Sequence, residues 1–83
     1  MKLQIRYFAS IREAIGRPSE ALETSAATLG ALRDELIARG EPYAQALARG
    51  KAVRLALDQA MAPETAALRE GAEVAFFPPV TGG

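Results

Sequence analysis

Residues Glu73 to Gly83 read Glu-Val-Ala-Phe-Phe-Pro-Pro-Val-Thr-Gly-Gly, and this stretch constrains the fold more than any other. Its first five residues are rich in valine and phenylalanine, which favours a β-strand over Glu73 to Phe77. Because successive side chains of a strand point to opposite faces, Val74 and Phe76 should share one face, and Phe77 should lie on the other. The segment therefore predicts the last strand of a sheet.

A double proline fixes where this strand ends. Pro78 and Pro79 cannot donate ladder hydrogen bonds, and their rings lock φ, so the chain must leave the sheet in an extended conformation. Glycine has no Cβ, so the closing pair Gly82-Gly83 is the slimmest backbone available. We therefore expect a folded domain of residues 1–77, followed by an extended and flexible tail of residues 78–83.

The rest of the chain contains further strand patterns, bounded by turn residues. Lys2 to Phe8 alternates, with Leu3, Ile5 and Tyr7 on one face. Because Phe8 falls on the polar face, it breaks this alternation. Three other segments complete the set of predicted strands: Glu20 to Thr24, Lys51 to Leu57 and the short Ala60-Met61.

One clear helix lies between these strands. Thr28 is a plausible N-cap, and Gly40 is a stop signal. The apolar stripe comprises Leu29, Leu32, Leu36 and Ile37, and we expect Arg33, Asp34, Glu35 and Arg39 to face solvent. Shorter helical segments are predicted at Ala9 to Ile15, with Ser10 as a possible cap, and at Pro42 to Arg49.

This order of elements predicts an α+β domain with a mixed sheet packed on one main helix. We expect the first and last strands to be neighbours in that sheet. Phe8 and Phe77 would then form one apolar patch beside the root of the tail, with Met61 near the same sheet edge. Neighbouring exposed apolar side chains indicate an interface with a partner.

Composition excludes several classes of function. The 83 residues include neither cysteine nor histidine, so thiol chemistry and the commonest general base and metal ligand are absent. Ten basic and ten acidic residues are intermixed, which argues against a nucleic-acid partner. We find no apolar run of membrane-spanning length and no signal peptide, and we expect a soluble cytoplasmic protein.

The tail is the remaining place for chemistry. A free carboxylate at Gly83 is a poor acyl donor, and it must first be activated, most simply as a mixed anhydride with AMP. A sulfur nucleophile could then form a thiocarboxylate, or an amine could form an amide. Since the chain has neither a nucleotide-binding motif nor a thiol, we expect partners to supply both steps. On its own the domain is not expected to be an enzyme or to bind a cofactor or metal.

Two segments carry a resemblance to a known family. The Gly-Gly end with its Phe76-Phe77-Pro78-Pro79-Val80-Thr81 lead-in and the segment Phe8-Ala9-Ser10-Ile11-Arg12-Glu13 resemble the small, sulfur-carrier subunit of molybdopterin synthase. The likeness covers the whole chain and is strongest at its two ends. It implies a ubiquitin-like β-grasp fold, which agrees with the predicted order of strands and helix.

The resemblance also implies a function in molybdenum cofactor biosynthesis. It implies that a ubiquitin-activating-type adenylyltransferase uses ATP to adenylate Gly83, which then becomes a thiocarboxylate. The tail, including Pro78 to Gly82, would enter the large subunit of molybdopterin synthase and give sulfur to cyclic pyranopterin monophosphate. The family's exposed hydrophobic contacts carry over to Phe8, Met61 and Phe77. Asp58 stands where relatives often have asparagine, and we expect it to serve in a turn.

Two other functions stay open from the sequence. A ubiquitin-like sulfur carrier could serve another product, such as the thiamine thiazole or thiolated tRNA. A ubiquitin-like modifier or a plain interaction domain would instead have its tail joined to lysines or unused.

Overall fold

The computed structural model describes residues 1–79. Every predicted strand and helix is present, with some differences in their ends. In chain order the elements are β1 (Lys2–Tyr7), α1 (Ala9–Ile15), β2 (Ser19–Glu23), α2 (Leu29–Ala38), α3 (Tyr43–Ala46), β3 (Arg54–Leu57), β4 (Ala60–Met61) and β5 (Glu73–Phe77).

The five strands form one mixed sheet in the order β2-β1-β5-β3-β4. The first and last strands are neighbours, as predicted, and run parallel with Ile5 opposite Val74 and Tyr7 opposite Phe76. All other pairs are antiparallel. The pairing of β1 with β5 places the first and last strands side by side in the middle of the sheet, with the start of β1 and the end of β5 at opposite ends of the pair.

One face of this sheet packs on the main helix. The alternating side chains Leu3, Ile5 and Tyr7 are buried, and so are Val74 and Phe76 from the neighbouring strand. From α2, the predicted stripe residues Leu29, Leu32 and Leu36 complete the core and are fully buried. The predicted α+β arrangement, a mixed sheet on one main helix, is confirmed.

The sequence contains three signals for helix ends that the structure tests here: caps at Thr28 and Ser10 and a stop at Gly16. Two of the three agree with the structure. The Thr28 side chain accepts a hydrogen bond of 3.2 Å from the backbone N–H of Ala31, which caps α2 as predicted. Gly16 ends α1 in the left-handed region at φ 91°, where only glycine is unstrained. The predicted cap at Ser10 is wrong, because the N-cap position belongs to Phe8 and Ser10 lies within the helix.

Arg33 corrects a second expectation. We expected it to face solvent, but only 3% of its surface is exposed. Its guanidinium donates to the carbonyls of Leu47 at 2.9 Å, Ala48 at 2.8 Å and Lys51 at 3.1 Å, and to the Glu64 carboxylate at 2.9 Å. A buried arginine with these partners holds the connection after α3 against the main helix.

The same contacts explain two differences in element ends. Helix α3 covers Tyr43–Ala46 instead of extending to Arg49, and β3 begins at Arg54 instead of Lys51. The carbonyl groups of Ala48 and Lys51 accept from Arg33 and also from the backbone N–H groups of Lys51 and Val53, in short turns. Arg33 thus holds an irregular, turn-containing segment between these two elements.

Candidate functional site

The outer face of the sheet, opposite the core, carries the predicted interface residues. Strand register aligns Arg6 with Ala75, Ala75 with Ala56 and Ala56 with Met61, which makes one row across four strands. Next to this row lies Phe77. The outer face is therefore apolar along its centre, although β1 also places polar side chains on it.

Phe8 and Phe77 form an aromatic pair at the end of this face. Their ring centroids are 6.3 Å apart and the rings stand nearly perpendicular at 88°, an edge-to-face arrangement. Phe8 remains 39% exposed, whereas Phe77 is half-buried. The backbone N–H of Phe8 donates to the Phe76 carbonyl at 3.1 Å, so this contact extends the β1–β5 pairing. The predicted aromatic patch is present.

Met61 is the third predicted contact, and it is 58% exposed. It lies on β4, which follows β3 through a tight turn at Asp58 and Gln59. Both turn residues have positive φ, at 50° and 72°. Positive φ at both central positions suits the right-handed twist of a two-residue hairpin. The turn thus returns the chain so that Met61 stands opposite Ala56 on the outer face.

Between Met61 and the aromatic pair lies a shallow depression of about 400 Å³. Ala56 and Ala75 lie at its centre, because their small side chains leave space between larger neighbours. Arg6 lies at its rim, with its guanidinium carbon 5.5 Å from the centre of the Phe8 ring. The guanidinium also reaches the Glu73 carboxylate at 3.4 Å. The full lining comprises Arg6, Phe8, Ala56, Gln59, Met61, Glu73, Ala75 and Phe77.

Asp58 connects the turn before β4 to the start of β5 by two hydrogen bonds. Its carboxylate accepts a hydrogen bond of 2.9 Å from the backbone N–H of Glu73, and its own backbone N–H donates to the Glu73 carbonyl at 2.8 Å. The hydrogen bond from Glu73, followed by the nearby Arg69 guanidinium, holds the pKa of Asp58 below its usual value. The expected turn role is confirmed, and Asp58 also ties the turn to the start of β5.

The root of the tail leaves the sheet beside a small groove of about 190 Å³. Pro78 and Pro79 form one side of it, and residues of α1, α3 and the segment before β3 form the other. Strand β5 ends at Phe77, the predicted position. The predicted tail residues Val80, Thr81, Gly82 and Gly83 lie outside the described residues.

A cluster of two tyrosines and a carboxylate lies under the sheet, and the sequence reasoning missed it. Both Tyr7 and Tyr43 donate from their hydroxyls to one oxygen of Glu20, at 2.7 and 2.6 Å. Burial raises the pKa of Tyr7 far above its usual value, and the hydrogen bond to Glu20 raises it further. These phenols therefore stay protonated near neutral pH and act as hydrogen-bond donors. The sequence feature that could have indicated this cluster is the position of Tyr7 on the buried face of β1.

Residues 1–79 contain no group of three or more acidic side chains placed to hold a metal ion. None of the helices in this part of the chain combines the length and the apolar character needed to cross a membrane. What these residues present is an apolar surface next to an exit point for the chain.

The mixed sheet and the helix beneath it define a small β-grasp domain with an exposed aromatic pair on its outer face. Sequence comparison gives a more specific assignment. The model of the ThiS family matches residues 5–83, and the chain therefore belongs to this family.

Individual relatives agree with this assignment. The molybdopterin synthase sulfur carrier subunit of Haemophilus influenzae is 43% identical over 81 residues, covering 98% of this chain and 99% of the relative. The protein of the same name from Escherichia coli is 37% identical, with the same coverage.

Solved structures confirm the fold. SAMP1 from Haloferax volcanii superposes with a TM-score of 0.77 at 25% identity and full coverage of both chains. A chain in the complex of subunits 1 and 2 of molybdopterin-converting factor from Helicobacter pylori gives a TM-score of 0.66 at 23% identity, also with full coverage.

Proposed function

We propose that this chain is the sulfur carrier subunit of a molybdopterin synthase and that the carboxyl group of Gly83 carries the sulfur. The observation that carries the proposal is the Phe8–Phe77 pair, exposed beside the Pro78-Pro79 exit. An apolar face at that place lets a partner bind the domain and receive the tail in the same event. The names of the Haemophilus and Escherichia relatives support this assignment.

The proposed chemistry takes place at the terminal carboxylate in three balanced steps. The carboxylate of Gly83 attacks the α-phosphorus of ATP, which releases pyrophosphate and leaves an acyl-adenylate. Hydrosulfide then attacks the acyl carbon and displaces AMP, which leaves a thiocarboxylate directly. The thiocarboxylate sulfur finally attacks a carbon of cyclic pyranopterin monophosphate and displaces an oxygen substituent, and water hydrolyses the resulting thioester, which leaves the sulfur on the pterin and restores the carboxylate. We assign each of these steps to the active site of a partner.

The proposal names two protein partners. A ubiquitin-activating-type adenylyltransferase supplies the ATP site, and the large subunit of molybdopterin synthase holds the pterin substrate and the catalytic side chains. We propose that Phe8, Met61 and Phe77 contact the large subunit, while Pro78 to Gly82 line the path of the tail. Since the proposed activation consumes ATP, we place the protein in the cytoplasm.

Mass spectrometry tests the sulfur-carrying site directly. The full chain is incubated with the adenylyltransferase, ATP and a sulfide source, and its intact mass and C-terminal peptide are measured. We expect one oxygen to be replaced by sulfur at Gly83. An unchanged C-terminal peptide would refute the proposed site, and lysine-linked conjugates of the chain would instead favour a ubiquitin-like modifier.

Two tail variants sharpen this test. One extra residue after Gly83 should abolish sulfur incorporation, because the new carboxylate lies at the wrong depth in the partner. Gly82→Val should lower sulfur transfer strongly, since a β-branched side chain widens and stiffens the tail. If Gly82→Val transfers sulfur at the normal rate, the tail does not enter a narrow channel. Thermal unfolding of both variants serves as the control for folding.

A further inference from the structure

Two cationic side chains flank the root of the tail from opposite sides. Arg54 pairs with Phe77 across β3 and β5, so the two side chains share the outer face of the sheet. Lys51 lies on the helix side, where it lines the small groove together with Pro78 and Pro79. Both cations are exposed. The exit point of the chain thus lies between two positive charges.

Neither cation has a carboxylate partner within residues 1–79. By contrast, Arg6 pairs with Glu73 and Arg69 pairs with Asp58. Lys2, at the far end of β1, likewise forms no salt bridge within residues 1–79 and so provides a matched comparison. The eight salt bridges of this part of the chain include neither Lys51 nor Arg54. These two charges are therefore available to a partner.

Covering Phe77 brings a partner against Arg54. Directly opposed residues in a sheet have Cβ atoms about 5 Å apart, so a surface that buries the Phe77 ring also removes water from the neighbouring guanidinium. An arginine that loses its hydration without gaining a partner is strongly unfavourable. A protein that binds the aromatic patch must therefore present an acceptor next to it.

We propose that the large subunit carries carboxylate side chains that pair with Arg54 and Lys51 on either side of the entering tail. This inference rests on the proposed function, because it assigns the chemistry of the same docking surface. The whole chain has a formal net charge of zero, so its total charge cannot direct association. Two local charges at the tail root would instead orient the domain so that the tail faces its channel.

Charge-neutralising variants test the proposal with a matched control. Lys51→Gln, Arg54→Gln and the double variant are compared with Lys2→Gln, an exposed lysine on β1. Each single variant changes the net charge by the same amount, so any difference between them reports position. Binding of the full chain to the large subunit is measured by calorimetry and by association kinetics, at low and high salt and without nucleotide or pterin.

We expect Lys51→Gln and Arg54→Gln each to bind more weakly than Lys2→Gln, which carries the same net charge and should stay near the wild type. The double variant should bind about tenfold more weakly than the wild type at low salt, mainly through slower association. The difference should shrink as salt screens the charges. Equal affinity of the double variant and Lys2→Gln would overturn the proposal, and so would tighter binding by the double variant. Because no nucleotide or pterin is present, their phosphates cannot account for a loss.

Phe77→Ala separates this proposal from the proposed function. If Phe77→Ala loses binding while the double variant does not, the docking surface stands and only the paired carboxylates are refuted. If neither variant loses binding, the docking surface itself lies elsewhere, and both proposals about this face fail. Sulfur incorporation at Gly83 remains an independent measure of the carrier function.

Discussion

Phe76 and Phe77 are neighbours in the chain and lie in different environments. Phe76 is fully buried between the sheet and the helix, and its ring stacks on Tyr7 with 6.1 Å between centroids. Phe77 is half-buried on the outer face, where Phe8 meets it edge to face. One residue type therefore serves stability on one face of the sheet and, in our proposal, recognition on the other. Strand β5, which is only five residues long, therefore supplies both the buried and the outer phenylalanine.

The largest effect should come from Phe76→Ala. Truncating a buried phenylalanine costs about 3–5 kcal/mol of unfolding free energy, much of the stability of a domain this small. We expect the thermal midpoint to fall by roughly 15–30 °C, measured by calorimetry or circular dichroism. Phe76→Leu keeps most of the volume and should lose far less. A midpoint near that of the wild type for Phe76→Ala would show that the core assignment is wrong.

Phe77→Ala should separate folding from binding. We expect a midpoint close to that of the wild type, but about thirtyfold weaker binding to the large subunit, equivalent to about 2 kcal/mol. Titration calorimetry alongside thermal unfolding measures both quantities on the same sample. A collapsed midpoint with normal binding by the remaining folded protein would assign Phe77 to the core instead.

Ala75→Leu should reduce binding by filling the depression of the outer face. The added side chain would project between Phe77 and Met61, where we expect an apolar side chain of the large subunit. Binding should weaken about tenfold, with little change in folding, because the site is not enclosed by the core. Ala21→Leu, on the outer face of β2, is the matched control. If both variants bind alike, the depression takes no part in docking.

The smallest effect is expected at Asp58, at the polar end of the outer face. Its lowered pKa in the folded state means that the ionised form contributes stability above its unfolded pKa of about 4. This contribution should be lost as pH falls through the folded pKa. Asp58→Asn retains an acceptor and tolerates the positive φ, but it has no such pH dependence. The stability gap between wild type and variant, measured by thermal unfolding, should therefore close as the pH falls below about 4. A gap independent of pH would show that ionisation of Asp58 does not matter.

Much of the fold was predictable because alternation in the strands is regular. In β1 the period of two residues assigned both faces correctly, and the violation at Phe8 indicated the exposed patch. In β5 the double proline fixed the last strand residue. The placement of Phe8 beside Phe77 needed only the expected pairing of the first and last strands.

The features missed from the sequence depend on contacts between distant segments. Arg33 lies four residues after Leu29 and three before Leu36, so helical spacing alone places it on the buried stripe. We nevertheless expected Arg33 to face solvent, because its side chain is charged. The carbonyl groups that satisfy it come from a loop 14 to 18 residues away, which no local pattern reveals. The shared contact of Tyr7 and Tyr43 with Glu20 is missed for the same reason.

The parallel pairing of β1 and β5 has a consequence for how the protein is made. Arg6 and Glu73 meet on the outer face although 67 residues separate them, and the Phe8–Phe77 pair joins the chain across a similar distance. Contacts between such distant residues close large loops and tend to form slowly. During synthesis, Phe8 leaves the ribosome long before Phe77, so the aromatic patch can form only after Phe77 has emerged as well. A partner that recognises this patch therefore also selects chains that have been made and folded through the last strand over shorter ones.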